Sequence, residues 1–308
     1  MARLYWKVSS ALGNNHIMRK LEPYVLLLPF MLLGLLFFLG IGNALLQSLG
    51  YIPALGLSEL TLSYYREILQ KPALLDSVKV SFAIALVSSV LATVLGVLLC
   101  AAMVHTGIAG GWRLQAIKLP ILVPHMVVAL FAVTFMSQNG LLARILYQLG
   151  LLGSQGDFPQ LLYDQNNAGI IIAYLWKEIP FVAYFVLALM SSVSSTLGEA
   201  AENLGASRLR TFFHITLPLS MPAVKKAFLI IFAFAFGAYE LPFLLGATLP
   251  KALPVQAYVE YVNPDLRHRP YAMAMNSIML LLTLAISAVY YWLLRKDFKG
   301  TGGGQYEK

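Results

Sequence analysis

Residues 80–104 carry no charged side chain. A run like this is set by the solvent it meets. The hydrocarbon of a bilayer is about 30 Å thick, and about 20 helical residues cross it. No water satisfies backbone polar groups there, so a chain crosses only as a helix or as part of a closed barrel. Residues 80–104 are long enough to cross as a helix. They read as a membrane-spanning helix. Five further apolar stretches of comparable kind lie at about residues 24–49, 119–136, 168–190, 227–246 and 272–294. The fold class that follows is all-α: a polytopic membrane protein with six transmembrane helices.

Composition agrees. Charged residues make up 12% of the chain, against about a quarter in soluble domains. The net charge of +8 therefore reads through its placement and does not point to nucleic acid. Six crossings put both termini on one side. The N-terminal tail, residues 105–118, the polar segment after the fourth span and the C-terminal tail hold 14 of the 22 Lys and Arg residues. That bias assigns them to the cytoplasm of a bacterial plasma membrane. The expected layout is a basic cytoplasmic tail or short interfacial helix over residues 1–20, a transmembrane domain over 21–297 and a disordered cytoplasmic tail over 298–308. The first span is too long for a cleaved signal and reads as an anchor. Outside lie residues 51–75, with a short amphipathic helix built on Tyr64, Tyr65, Ile68 and Leu69, and the loops 137–166 and 248–270. Cys100 is the only cysteine, so neither an internal disulfide nor a cysteine metal site is available. No metal site is expected.

The cytoplasmic loop 191–222 interrupts this apolar chain with its own signals. Residues 196–199, Thr-Leu-Gly-Glu, fit a capping box. A helix from there would bury Leu197, Ala201 and Leu204 on one side. Gly205 suits the left-handed residue that ends a helix, and Ser207 suits the cap of a second one. Pro218 and Pro222 would close the unit before the next span. The reading is a helix–glycine–helix elbow beside the membrane.

This elbow, Glu199-Ala200-Ala201, then Gly205, then Ile215 with Leu217-Pro218, resembles the signature loop of permease subunits in binding-protein-dependent ABC importers. The resemblance extends over most of the chain and is specific only at the elbow. It implies the type I importer permease fold and alternating access. It also implies that Glu199, Ala200, Ala201, Leu204, Gly205, Ala206, Arg208, Ile215, Leu217 and Pro218 couple the chain to an ATPase. The implied partners are a second permease, identical or related, two ATPase subunits carrying ATP and Mg, an extracytoplasmic solute-binding protein and the lipid bilayer. No cofactor is implied in this chain. Leu204 before Gly205, and the phrase at residues 239–243, look most like the polyamine, ferric-iron, thiamine and phosphonate branch.

Ionisable groups at membrane depth are costly and so mark candidate functional sites. Glu178 lies midway along the fourth span, and Trp176, Lys177, Glu178 and Pro180 interrupt it. Glu240 lies in the outer part of the fifth, where Gly237, Tyr239 and Pro242 suggest an irregular helix. If Glu178 and Glu240 faced one cavity they would suit a small organic cation such as a polyamine. In the structural alternative Glu178 pairs with a nearby positive group, Lys177 snorkels outward and residues 237–242 are a packing kink. Trp176, Tyr174 and Tyr184 either line a channel or anchor the protein in lipid. His125 reads as a packed, hydrogen-bonded histidine. Gln138 and Asn139 mark the outer surface, and Asn276 reads as a helix-joining hydrogen bond. A sugar, phosphonate, iron or thiamine importer is the alternative substrate class. An ion-gradient transporter or channel relaying through Glu178 or Glu240 is the rival of another class, and it leaves the elbow unexplained. The chain lacks Gly-x-x-x-x-Gly-Lys-Ser/Thr, His-Glu-x-x-His and Gly-x-Ser-x-Gly, so it is read as a transport subunit and not an enzyme, with ATP hydrolysis on other subunits.

Overall fold

The computed structural model describes residues 16–108 and 110–299, with side chains described over residues 23–108 and 110–292. The sequence expectations for the first fifteen residues and for residues 300–308 lie outside the described residues. The described chain is built from helices. Six stretches are long and apolar enough to cross a membrane, beginning at Pro23–Ser48 and Pro72–His105.

Helix α1 (His16–Ser48) packs chiefly against the last helix, and its apolar side chains over residues 24–39 face outward. A short helix α2 (Ser63–Gln70) follows, with Ile68 fully buried and Leu69 exposed. Helix α3 (Pro72–His105) is the uncharged run, extended at both ends. Its buried stripe is Ala85, Ser88, Ser89, Ala92 and Gly96. Small residues spaced one turn apart let membrane helices approach closely, where contact rather than hydrophobicity holds them together. Gly96 is the tightest point: a Cβ there would lie 2.6 Å from Val182 Cβ.

The third crossing is not one helix. Pro124 pushes Val123 into extended backbone (φ −74°, ψ 127°), as the residue before a proline prefers. The run divides into α4 (Gly111–Leu122) and α5 (His125–Met136), with α6 (Leu141–Gln148) beyond. The fourth crossing, α7 (Ala168–Val193), runs unbroken through residues 176–180, contrary to the interruption read from sequence. Pro180 lacks a donor, but neighbours can satisfy freed backbone groups in a packed membrane bundle.

Beyond the elbow, α10 (Leu217–Gly237) continues a helical path that begins at Arg208, so Pro218 and Pro222 both lie inside it. The prolines therefore lie within the fifth span instead of closing the elbow before it. Phe228, Phe232 and Phe236 stack along one face of α10, with centroids 6.0 and 6.2 Å apart. The expected irregularity is present: α10 ends at Gly237, Ala238 is extended, and α11 (Glu240–Leu245) restarts. The loop 248–270 holds a further helix that went unread, α12 (Leu253–Tyr261), tied to α3 by Leu253 N–H donating to Ser81 Oγ at 2.7 Å. The last crossing is α13 (Arg269–Lys299).

Helices α3, α7 and α10 form the core. One cluster joins Ile84, Tyr174 and Phe236 with Val128 of α5; a second joins Cys100, Val186 and Ile231. A third, with Ile68, Leu253 and Met275, closes the end where α2, α12 and the start of α13 meet.

Candidate functional site

The elbow lies at the other end of the bundle, beside the end of α3. It comprises α8 (Glu199–Asn203) and α9 (Arg208–Thr211). Gly205 sits between them at φ +90°. Its N–H donates to Glu202 O at 2.9 Å, and Ala206 N–H donates to Ala201 O at 3.0 Å. These are the paired bonds of a Schellman helix end. Ser207 Oγ then accepts from Arg210 N–H at 3.4 Å and caps α9. Glycine stop and serine start are both where the sequence put them.

The capping box is not. Thr196 Oγ1 donates to Ser192 O at 2.8 Å, back into the preceding turn. The chain is already helical there, so it has no first-turn amides to cap. Helix α7 passes into a wider turn of π-helix, Ser194–Gly198, and then directly into α8. A matching π turn, Phe212–Thr216, joins α9 to α10. The two turns pack together through buried Gly198, where a Cβ would meet Thr211 Cγ2 at 3.6 Å and Thr216 Oγ1 at 3.7 Å. π turns have no composition signal, and this hinge was not legible in the sequence.

The expected buried side of α8 is also corrected. Ala201 is half-buried, but Leu197 is exposed and Leu204 is 90% exposed. Leu209 and Phe213 are exposed as well. Glu199, Ala200 and Pro218 stand at the surface; Ala206, Ile215 and Leu217 are half-buried. The elbow thus presents apolar side chains outward. Arg208 braces it: Nε lies 3.7 Å from Glu202 Oε2, and a terminal nitrogen lies 3.4 Å from His105 Nε2 of α3.

Two clefts take some of the membrane-depth residues. Glu178 is 5% exposed, and both carboxyl oxygens are buried without a partner among the described residues. The expected ion pair does not form. Lys177 does not snorkel outward; its Nζ donates to Val123 O, the carbonyl freed at the α4–α5 break. One turn before Glu178, the hydroxyl of fully buried Tyr174 also lacks a partner. His125 packs on Phe234 with centroids 4.9 Å apart and makes no hydrogen bond among the described residues. Glu178, Lys177, His125, Phe181, Ile231 and Phe234 line a cleft of about 200 Å³. Trp176 is outside it and exposed. Glu240 is half-buried within electrostatic reach of His125 and Tyr174, yet lines neither cleft.

The second cleft, of about 310 Å³, opens where α10 breaks. Gly237 and Tyr239 line it with Tyr258 and Tyr261 of α12 and Asn276 of α13. Asn276 is exposed into it and hydrogen-bonds no described residue, so it does not join helices as expected. Tyr258 and Tyr261 carry no sequence signal of a cleft, because the prolines and charges of residues 248–270 suggest a loop.

The family model described as "Binding-protein-dependent transport system inner membrane component" matches residues 92–297. The chain is 29% identical over 286 residues to the sn-glycerol-3-phosphate transport system permease protein UgpA of Pectobacterium atrosepticum, covering 87% of this chain and 92% of that protein. It is 28% identical over 158 residues to the spermidine/putrescine transport system permease protein PotB of Escherichia coli, covering 51% of this chain and 54% of that one. The chain spans about half the length of several curated relatives that it matches. Its fold superposes with a TM-score of 0.74 and 21% identity on a chain of a bacterial alginate ABC transporter, solved with an alginate pentasaccharide-bound periplasmic protein, over 94% of this chain and 98% of that one.

Proposed function

Because this chain belongs to the family of binding-protein-dependent transport system inner membrane components, we propose that its elbow is the handle through which separate ATPase subunits drive solute import. The chain forms half of a solute path with a second permease, related or identical. Two ATPase subunits, holding ATP and Mg, grip the elbow from the cytoplasm, and both termini lie on that side. An extracytoplasmic binding protein delivers solute at the opposite end.

One observation carries this reading: the elbow's bend is pinned by its own hydrogen bonds and its outer side is apolar. The Schellman bonds at Gly205 and the Ser207 cap fix its bend, while Leu204 and Leu209 are exposed with nothing to cover them among the described residues. Apolar side chains at that exposure suit a groove on another protein. A handle pinned in this way and set between two π turns transmits displacement to α7 and α10, which reach the core. ATP binding would draw paired elbows together and open the bundle outward.

Two solute classes draw on different residues. A small organic cation such as a polyamine would use Glu178, whose buried carboxyl oxygens have no hydrogen-bond partner among the described residues. A polyhydroxylated solute would use the tyrosine-lined cleft. The coupling role is tested with Glu199→Gln in the assembled importer. Solute-stimulated ATPase and uptake should fall together while the complex stays assembled. Full retention of both would remove Glu199 from the coupling interface.

A further inference from the structure

The cleft at the α10 break has a chemistry of its own. Tyr239 and Tyr258 stack with centroids 5.2 Å apart and planes 22° apart. Phe243 meets Tyr258 edge-on at 5.4 Å. These rings pack on each other, which orients them within the cleft. The hydroxyls of Tyr239, Tyr258 and Tyr261 and the amide of Asn276 make no hydrogen bond to any described residue, and all four side chains line the cleft. Oriented ring faces with free hydroxyl and amide groups around them match a solute that offers C–H faces and hydroxyls together.

The charges point the same way. Among the described residues no carboxylate lines the cleft. Glu260, on the same helix as Tyr258, is engaged by His268 Nδ1 at 2.8 Å. Arg269 lies over the ring of Tyr261 at 4.9 Å and brings positive charge to the rim. A cationic solute would meet a positive rim and no counter-charge. The cleft also lies toward the end of the bundle away from the elbow, where α12 and the start of α13 meet.

We propose that this cleft is a stacking subsite for a polyhydroxylated solute of the saccharide or sugar-alcohol class. The proposal rests on the permease reading above and names the solute class for it. Gly237 supplies the steric control. A Cβ there meets nothing within 4 Å, so a larger side chain at this lining position is a steric probe of the cleft.

The test is saturation-transfer NMR on the full chain in nanodiscs, with D-glucose, maltose and spermidine as probes at millimolar concentration. Wild-type protein should transfer saturation to the saccharide C–H protons. Tyr258→Leu and Gly237→Leu should weaken that signal roughly two- to tenfold, the worth of one aromatic contact. Phe37→Leu, on the outward face of α1, should leave it unchanged. Spermidine transfer that depends on these residues, with none to saccharides, would overturn the proposal in favour of an organic cation. Saccharide transfer indifferent to both substitutions, or transfer to no probe, would overturn it as well. If Tyr258→Leu fails to fold, Gly237→Leu carries the test alone. Co-purification of the same chain with ATPase subunits is scored separately, so its failure would count against the coupling reading and not against the cleft.

Discussion

Gly205 is the residue at which the elbow geometry makes its sharpest demand. Its φ of +90° lies in the left-handed region, and a Cβ there would touch nothing within 4 Å. The cost of a side chain is therefore backbone strain alone, with no packing to confuse it. For alanine that strain is about 1–2 kcal/mol; for asparagine, which tolerates the region, it is smaller. A penalty of that size shifts a local equilibrium roughly 5- to 30-fold. The bonds at stake are Gly205 N–H to Glu202 O and Ala206 N–H to Ala201 O. Amide exchange at residues 204–206 should therefore accelerate by about that factor in Gly205→Ala, by less in Gly205→Asn and by most in Gly205→Val. Coupled ATPase should fall in the same order, because a frayed elbow moves without pulling. If alanine matches glycine, or asparagine is no better than alanine, the left-handed turn is not what holds the elbow.

Two more perturbations test the bundle itself. Gly96→Ala places a methyl 2.6 Å from Val182 Cβ and 2.9 Å from Ile179 O; it should lower stability by roughly 1–3 kcal/mol in thermal unfolding. Adding Val182→Ala should restore only part of the loss, since the carbonyl remains, and full restoration would contradict the backbone contact. Glu178→Gln should change stability by about 1 kcal/mol or less, because no partner is lost; breaking a buried ion pair would cost about 3–5 kcal/mol. A loss of that size would mean Glu178 has a partner in the assembled protein.

Six crossings and a helix–glycine–helix elbow were legible because length without charge and the left-handed preference of glycine are properties of a sequence alone. Which face a residue shows is not. Glu178 and Lys177 are neighbours in an apolar run, and only the α4–α5 break, which exposes Val123 O, explains why the lysine turns inward and leaves the glutamate unpaired. Asn276 read as a helix-joining amide because nothing in a hydropathy pattern reveals a cleft beside it. Prolines misled twice: Pro180 sits inside one continuous helix, and Pro218 and Pro222 sit inside another. Proline marks a missing donor, and whether that ends a helix depends on neighbours far away in sequence.

The central claim is that the elbow faces the cytoplasm and is covered by an ATPase. Cys100, the only native thiol, is fully buried, so a cysteine placed at Leu204 would be the one accessible thiol, at a side chain 90% exposed. The direct measurement is labelling of Leu204→Cys by a membrane-impermeant maleimide, in inside-out and right-side-out vesicles, with and without ATPase subunits. Labelling is expected in inside-out vesicles alone, with suppression when the ATPase subunits bind. Labelling from the outer face, or labelling that the ATPase subunits leave untouched, would contradict it.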